Sequence, residues 1–286
     1  IDWSPKALFS SRFDASLIKA GTVRLERLPI PSQETKEVRQ TFALPLDVKI
    51  TALDLPEIVI GKEIAGADQF LSLTGNLDAT NSSIATSLAV AQRDQPNAKA
   101  VANIVFNPAA NTLKLDATVN DISGGLLSRA LQLPGTPAVQ IAVKGDGPLS
   151  DWTGKATAAL DGTQILDLDA RHIQGADGKR HVALTGGGTF ASLLPQNLRP
   201  LFEGETAIDL AAILSGNSRV SIERGTLSSG SLDIAASGAY DTAGENNLQA
   251  TLSGKNGPVP LTIAGRDGDT KLAINSAMLS LDGQAN

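Results

Sequence analysis

Apolar and polar residues alternate with a period of two along most of the chain. Leu113, Leu115, Ala117 and Val119 are interleaved with Lys114, Asp116, Thr118 and Asn120. Val139, Ile141 and Val143 flank Gln140 and Ala142; Leu232, Ile234 and Ala236 flank Asp233 and Ala235; Leu248, Ala250 and Leu252 flank Gln249 and Thr251. Successive side chains on a strand point to opposite faces, so each run predicts a strand with one apolar and one mostly polar face. Similar runs predict strands near 12–18, 22–28, 46–52, 69–79, 83–92, 99–107, 153–161, 163–173, 180–187, 205–214, 218–224, 259–265 and 270–275. The joints are short and turn-like, among them Asn107-Pro108-Ala109-Ala110-Asn111, Asp161-Gly162, Ala176-Asp177-Gly178 and Arg266-Asp267-Gly268-Asp269. Asp-Gly supplies the positive φ of tight hairpins. The expectation is a long antiparallel meander in which sequence neighbours are sheet neighbours.

Two segments break the alternation. Residues 122–132 and 190–202 carry apolar residues at mixed three-and-four spacing and predict short helical insertions, the second interrupted by Pro195 and Pro200. Leu126-Leu127 maps onto Leu193-Leu194, and the strand after the first insertion onto the strand after the second, which predicts an internal repeat. Residues 29–40, rich in charge and bounded by Pro29 and Pro31, predict a solvated loop. The whole of 1–286 is otherwise expected to form one elongated β segment.

Composition changes the picture in one respect. Of 286 residues 42% are hydrophobic but only 3% aromatic, so the apolar mass is Ala, Leu, Ile and Val. Aromatic side chains carry the largest burial terms in an enzyme-like core, and their scarcity points instead to repetitive sheet. The net charge of −6, without a basic run, leaves no footprint for nucleic acid. With no cysteine there is no disulfide, thiolate metal site or thiol nucleophile. No run reaches the roughly 18 apolar residues of a membrane span. The chain opens on Ile1 and stops within a pattern at Leu279-Ser280-Leu281, and is expected to be a piece of a longer protein.

Candidate chemistry is thin. His172 and His181 flank a turn and could oppose one another in a hairpin near Asp167 and Asp169, but Arg171, Lys179 and Arg180 place positive charge where a cation would sit. Asp267-Gly268-Asp269 lacks the rest of a calcium loop and reads as a turn. Gly186-Gly187-Gly188 has no following Lys-Ser/Thr, so close strand approach is the better account. There is no Gly-x-Ser-x-Gly elbow. The residues predict no enzyme, no cofactor and no metal. What remains is the apolar face, either the inside of a closed sandwich or barrel or the wall of an open groove. Burial against protein is the commoner fate of an apolar stripe, so periodicity alone favours the closed core.

The segments Asp2-Trp3-Ser4-Pro5-Lys6-Ala7-Leu8 and Val23-Arg24-Leu25-Glu26-Arg27-Leu28-Pro29 resemble the amino-terminal part of TamB proteins, envelope proteins of Gram-negative bacteria related to the AsmA-like group. Leu44-Pro45-Leu46-Asp47-Val48-Lys49-Ile50, Leu55-Pro56-Glu57-Ile58-Val59-Ile60 and Gly145-Asp146-Gly147-Pro148-Leu149-Ser150-Asp151-Trp152 continue the likeness, as does the run from Gly125-Leu126-Leu127 to Leu133-Pro134-Gly135. The resemblance implies an all-β, U-shaped β-taco groove. It further implies non-enzymatic transport of phospholipid between inner and outer membranes in the periplasm. The full-length protein would be anchored in the inner membrane and partnered with TamA in the outer membrane. The alternative it implies is a scaffold or chaperone for outer-membrane protein assembly, presenting sheet edges to unfolded strands. An apolar trough suits the first role: a chain of about sixteen carbons faces roughly 12 kcal/mol in water at about 0.8 kcal/mol per methylene. At about 4.8 Å per strand, about seventeen strands would span roughly 80 Å. The lining expected for phospholipid acyl chains is Leu113, Leu115, Val139, Ile141, Val143, Ile208, Leu210, Leu232, Ile234, Leu248, Leu252, Leu261, Ile263, Leu272 and Ile274.

Overall fold

The computed structural model describes residues 1–27, 43–62, 68–175, 177–194, 196–216, 219–241, 244–255, 257–266, 269–275 and 280–285, with side chains described as far as 266 and at Ala273. The chain is all-β. Among the described residues it forms nineteen strands, one short α-helix and three 3-10 turns. None of these helices is long and apolar enough to cross a membrane. The strands belong to two compact units, one made of Ile1–Pro148 with Leu160–Gly162, the other of Leu149–Ala159 with Thr163–Asn286.

In the first unit β1 (Asp2–Trp3), β2 (Arg12–Lys19) and β3 (Thr22–Leu25) precede a long strand, β4 (Asp47–Ile60). From β4 the chain runs through β5 (Gln69–Ala79), β6 (Ile84–Gln92), β7 (Gln95–Asn107), β8 (Thr112–Asp121) and β9 (Val139–Pro148), each antiparallel to the one before. The alternating side chains form these strands, and short polar turns close them. Asn107 Oδ1, for example, accepts the Ala110 N–H at 2.9 Å.

The start of the chain departs from the expected uniform antiparallel meander. β2 and β3 pair with β4, both in parallel, and lie end to end along it. Ala20, in the joint between them, donates its N–H to the Asp54 carbonyl at 3.3 Å. A parallel return needs a connection of a dozen residues or more, and the chain between Leu25 and Asp47 is long enough. Pro56 sits within β4 where the register to β5 slips between Leu55 and Ile58, an irregularity that tolerates a residue without an N–H.

The second unit contains β10 (Trp152–Leu160, its last residue in the first unit) and β11 (Thr163–Gln174), joined through Asp161-Gly162. Both turn residues have positive φ, 48° and 79°, as the sequence requires of a two-residue hairpin. β12 (Arg180–Gly188), β13 (Thr206–Ser215), β14 (Arg219–Ser228), β15 (Asp233–Asp241), β16 (Glu245–Gly254), β17 (Gly257–Arg266), β18 (Asp269–Asn275) and β19 (Ser280–Ala285) follow, each antiparallel to its predecessor.

The two helical insertions occupy corresponding places. The first contains α1 (Leu126–Ala130) and separates β8 from β9, where Asp121 pairs with Val139. The second holds two 3-10 turns, Ala191–Leu193 and Arg199–Leu201, and separates β12 from β13, where Gly188 pairs with Thr206. β9 and β13 are both ten residues long and start about 67 residues apart. A further 3-10 turn, Pro5–Ser10, was not predicted; it is closed by Ser11 in the left-handed region at φ 52°. The loop predicted over 29–40 and the Asp267-Gly268 turn lie outside the described residues.

Candidate functional site

The pairing register aligns the apolar positions of successive strands into rows. In the first unit Leu55, Leu73, Val90, Ala100, Val119 and Ile141 form one row. Leu53, Gly75, Leu88, Ala102, Ala117 and Val143 form the next, followed by Ile50, Leu77, Thr86, Ile104, Leu115 and Gly145. A fourth holds Val48, Ala79, Ile84, Phe106, Leu113 and Gly147. In the second unit Leu168, Gly186, Ile208, Leu227, Ile234, Leu252 and Val259 align, as do Ala170, Leu184, Leu210, Gly225, Ala236, Ala250 and Leu261.

Burial distinguishes these faces from a closed core. Among the described residues only seven apolar ones are buried: Ala15, Val59, Ala79, Ala98, Val139, Ile165 and Ala212. The other side chains in the rows, among them Leu73, Val90, Leu115, Ile141, Ile208, Ile234 and Leu252, are half-buried. Strand neighbours shield their flanks, and among the described residues only the α1 segment is seen to lie over part of such a face, in contrast to a close-packed interior.

Ion pairs among the described residues cluster on the opposite face. Asp116 of β8 pairs with Lys144 of β9 at 3.3 Å. In the second unit Arg224 makes a two-pronged contact with Asp209, at 3.1 and 3.0 Å. Arg171 does the same with Asp151, at 2.6 and 2.9 Å, and Lys155 meets Asp167 at 2.7 Å. The hydrogen bonds from Arg171 hold the Asp151 carboxyl below its ordinary range, and the bond to Asp167 raises the Lys155 ammonium. All these groups are exposed. They give these faces a solvated, charged surface.

The predicted lining residues fall as follows. Leu113, Leu115, Val139, Ile141 and Val143 share the apolar face of the first unit. Ile208, Leu210, Ile234, Leu248, Leu252, Leu261 and Ile263 share that of the second. Leu232 stands just ahead of β15, half-buried, its carbonyl accepting the Ser229 N–H at 2.9 Å. Leu272 and Ile274 pair through their backbones with Ile263 and Leu261, and their side chains lie outside the described residues. The sequence-based list omitted the contributions of β4 to β7, whose alternation carried the same signal.

His172 and His181 do not oppose one another. His181 pairs with Ile173 and His172 with Val182, so the imidazoles take opposite faces of the sheet; His172 Nδ1 lies 3.0 Å from the Leu149 carbonyl. Among the described residues no group of three or more His, Asp or Glu side chains is placed to hold a metal. Gly186 to Gly188 lie inside β12, and a Cβ on Gly186 would meet the Asp167 carbonyl at 2.2 Å. Close strand approach accounts for these glycines.

One element borders an apolar face. In the first unit Leu126 and Leu127 of α1 line, with Leu71, Val90, Ala100, Val119 and the polar Gln92 and Asp121, a partly open hollow of about 150 Å³. The helix is tied down by Asp121, whose buried carboxylate accepts the Leu127 N–H at 2.6 Å. Against known proteins, the chain matches no family model, no curated protein and no solved structure.

Proposed function

We propose that the apolar faces are binding surfaces for phospholipid acyl chains. On this reading the protein moves phospholipid between the inner and outer membranes of a Gram-negative envelope without covalent chemistry. The observation that carries it is the half-burial of row upon row of Leu, Ile, Val and Ala while charged side chains occupy the other face. An acyl chain laid along such a face would complete the burial that protein leaves unfinished, and each methylene it covers contributes about 0.8 kcal/mol. Smooth aliphatic rows suit sliding of a chain better than aromatic pockets would. The resemblance of the amino-terminal segments to TamB proteins supports the same reading. It extends it to a periplasmic location, an inner-membrane anchor in the full-length protein and TamA as outer-membrane partner.

The test replaces one residue on each face, Ile141→Asp with Ile234→Asp, and measures phospholipid transfer between donor and acceptor liposomes together with copurified lipid by native mass spectrometry. Loss of transfer and of bound lipid from a protein that keeps its strand content is expected. Unchanged transfer overturns the reading. Capture of unfolded outer-membrane strands irrespective of either substitution would put an assembly scaffold in its place.

A further inference from the structure

The hollow beneath α1 differs from the rest of the apolar face because the helix covers part of it while the remainder stays open. Its floor comes from neighbouring strands, with Val90, Ala100 and Val119 in one register row and Leu71 beside them; Leu126 and Leu127 cover part of it, and four polar residues, Asp121 among them, also line it. A water molecule in such a space needs two to four polar partners. Asp121 Oδ2 accepts the Leu127 N–H, and the surface the hollow exposes is almost wholly apolar, which holds water poorly. At about 150 Å³ and apolar over nearly all its exposed surface, the hollow takes the end of a hydrocarbon chain in preference to a charged phospholipid headgroup. The next row of the face, Leu88, Ala102 and Ala117, continues from the floor without a charged residue, so a chain lying on the face runs directly into the hollow.

We infer that this hollow seats the methyl end of one unbranched acyl chain, with α1 as its roof and Asp121 as the residue that positions the roof. The inference rests on the reading of the apolar faces as lipid-binding surfaces and adds a polarity to it. In the first unit the chain terminus lies at the α1 margin, and the headgroup lies away from it.

The experiment uses stearic acid carrying a nitroxide either near its methyl end or near its carboxyl, with methyl NMR of Leu71, Val90, Leu126 and Leu127 and, in the other unit, Ile234 and Leu248. The methyl-end label is expected to broaden the signals of the seat several-fold more strongly than the carboxyl-end label. Ala100→Leu, which fills the hollow, should erase that difference while leaving broadening at Ile234 and Leu248 intact. Leu127→Ala, which removes part of the cover and widens the hollow, should weaken it and serves if Ala100→Leu does not fold. Equal broadening by the two labels, or a difference that survives a folded filling variant, overturns the seat and leaves the lipid-binding faces standing. No broadening of any apolar-face methyl in either unit overturns the lipid reading itself.

Discussion

Asp121 and Gly125 are pressed together: a Cβ on Gly125 would lie 2.0 Å from Asp121 Oδ1, while Oδ2 accepts the N–H of Leu127. Gly125 is the residue before α1 and has ordinary extended backbone, so glycine is needed here for space and not for conformation. The carboxylate reaches from the end of β8 to the exposed amides at the start of the helix, where a negative group is favoured. One short contact thus joins strand to helix and fixes the roof of the hollow.

Gly125→Ala displaces that carboxylate. A loss of about 1–3 kcal/mol is expected, the cost of leaving a buried polar group without its partner. Urea unfolding measures the loss, and amide exchange at Leu127 should accelerate while exchange in β15 and β16 does not.

Gly186 has φ 141°, and an added Cβ would meet backbone rather than a movable side chain. Gly186→Ala should destabilise the second unit by about 2 kcal/mol or more. A thermal midpoint equal to that of the parent chain would show that β12 can move away from β11.

Thr206 is fully buried, and its Oγ1 has no hydrogen-bond partner among the described residues. Thr206→Val keeps the shape and removes the unmet hydroxyl, so stability should rise by about 1 kcal/mol. A fall in the thermal midpoint would reveal a partner for the hydroxyl in solution.

Asp151 titrates below its ordinary value because Arg171 hydrogen-bonds its ionised form, with the Coulombic attraction adding to this. A depressed folded pKa gives stability that is fully present above the unfolded carboxylate value, about 3.9, and is lost as pH falls through the folded one. Asp151→Asn should therefore flatten the decline of stability below about pH 4, with no change in slope near neutrality. Denaturant midpoints measured from pH 7 to pH 2 decide it; parallel acid limbs for the two proteins would exclude a contribution from the pair.

Charge on the outer face should be dispensable for lipid capture. Lys144→Ala removes the partner of Asp116 from an exposed site, and stability should stay within about 0.5 kcal/mol. Bound lipid measured by native mass spectrometry should be unchanged, in contrast to Ile141→Asp on the apolar face of the same strand.

Much of the fold was legible because a strand has only two faces. In β8 the order Leu113, Lys114, Leu115, Asp116 states both the strand and which side is apolar, and Asp161-Gly162 states the turn and hence the register of its hairpin. The two interruptions were visible for the same reason, since Leu126-Leu127 and Leu193-Leu194 break the alternation. What alternation does not encode is partnership at a distance. Nothing in Arg12–Lys19 or Thr22–Leu25 says that both strands lie parallel to β4, because that depends on a long return of the chain and not on local spacing.

The sequence by itself determined most of the strands and their apolar sides, because these follow from period-two geometry. The tertiary structure decided what that apolar side meets. Leu115, Ile141, Ile208 and Ile234 are half-buried and not buried, a distinction set by whether a second layer packs on the face. It also decided that Asp121, to the eye one more polar residue at a strand end, holds α1 over Val90 and Val119, because a carboxylate's role depends on which amide the fold brings within reach of it.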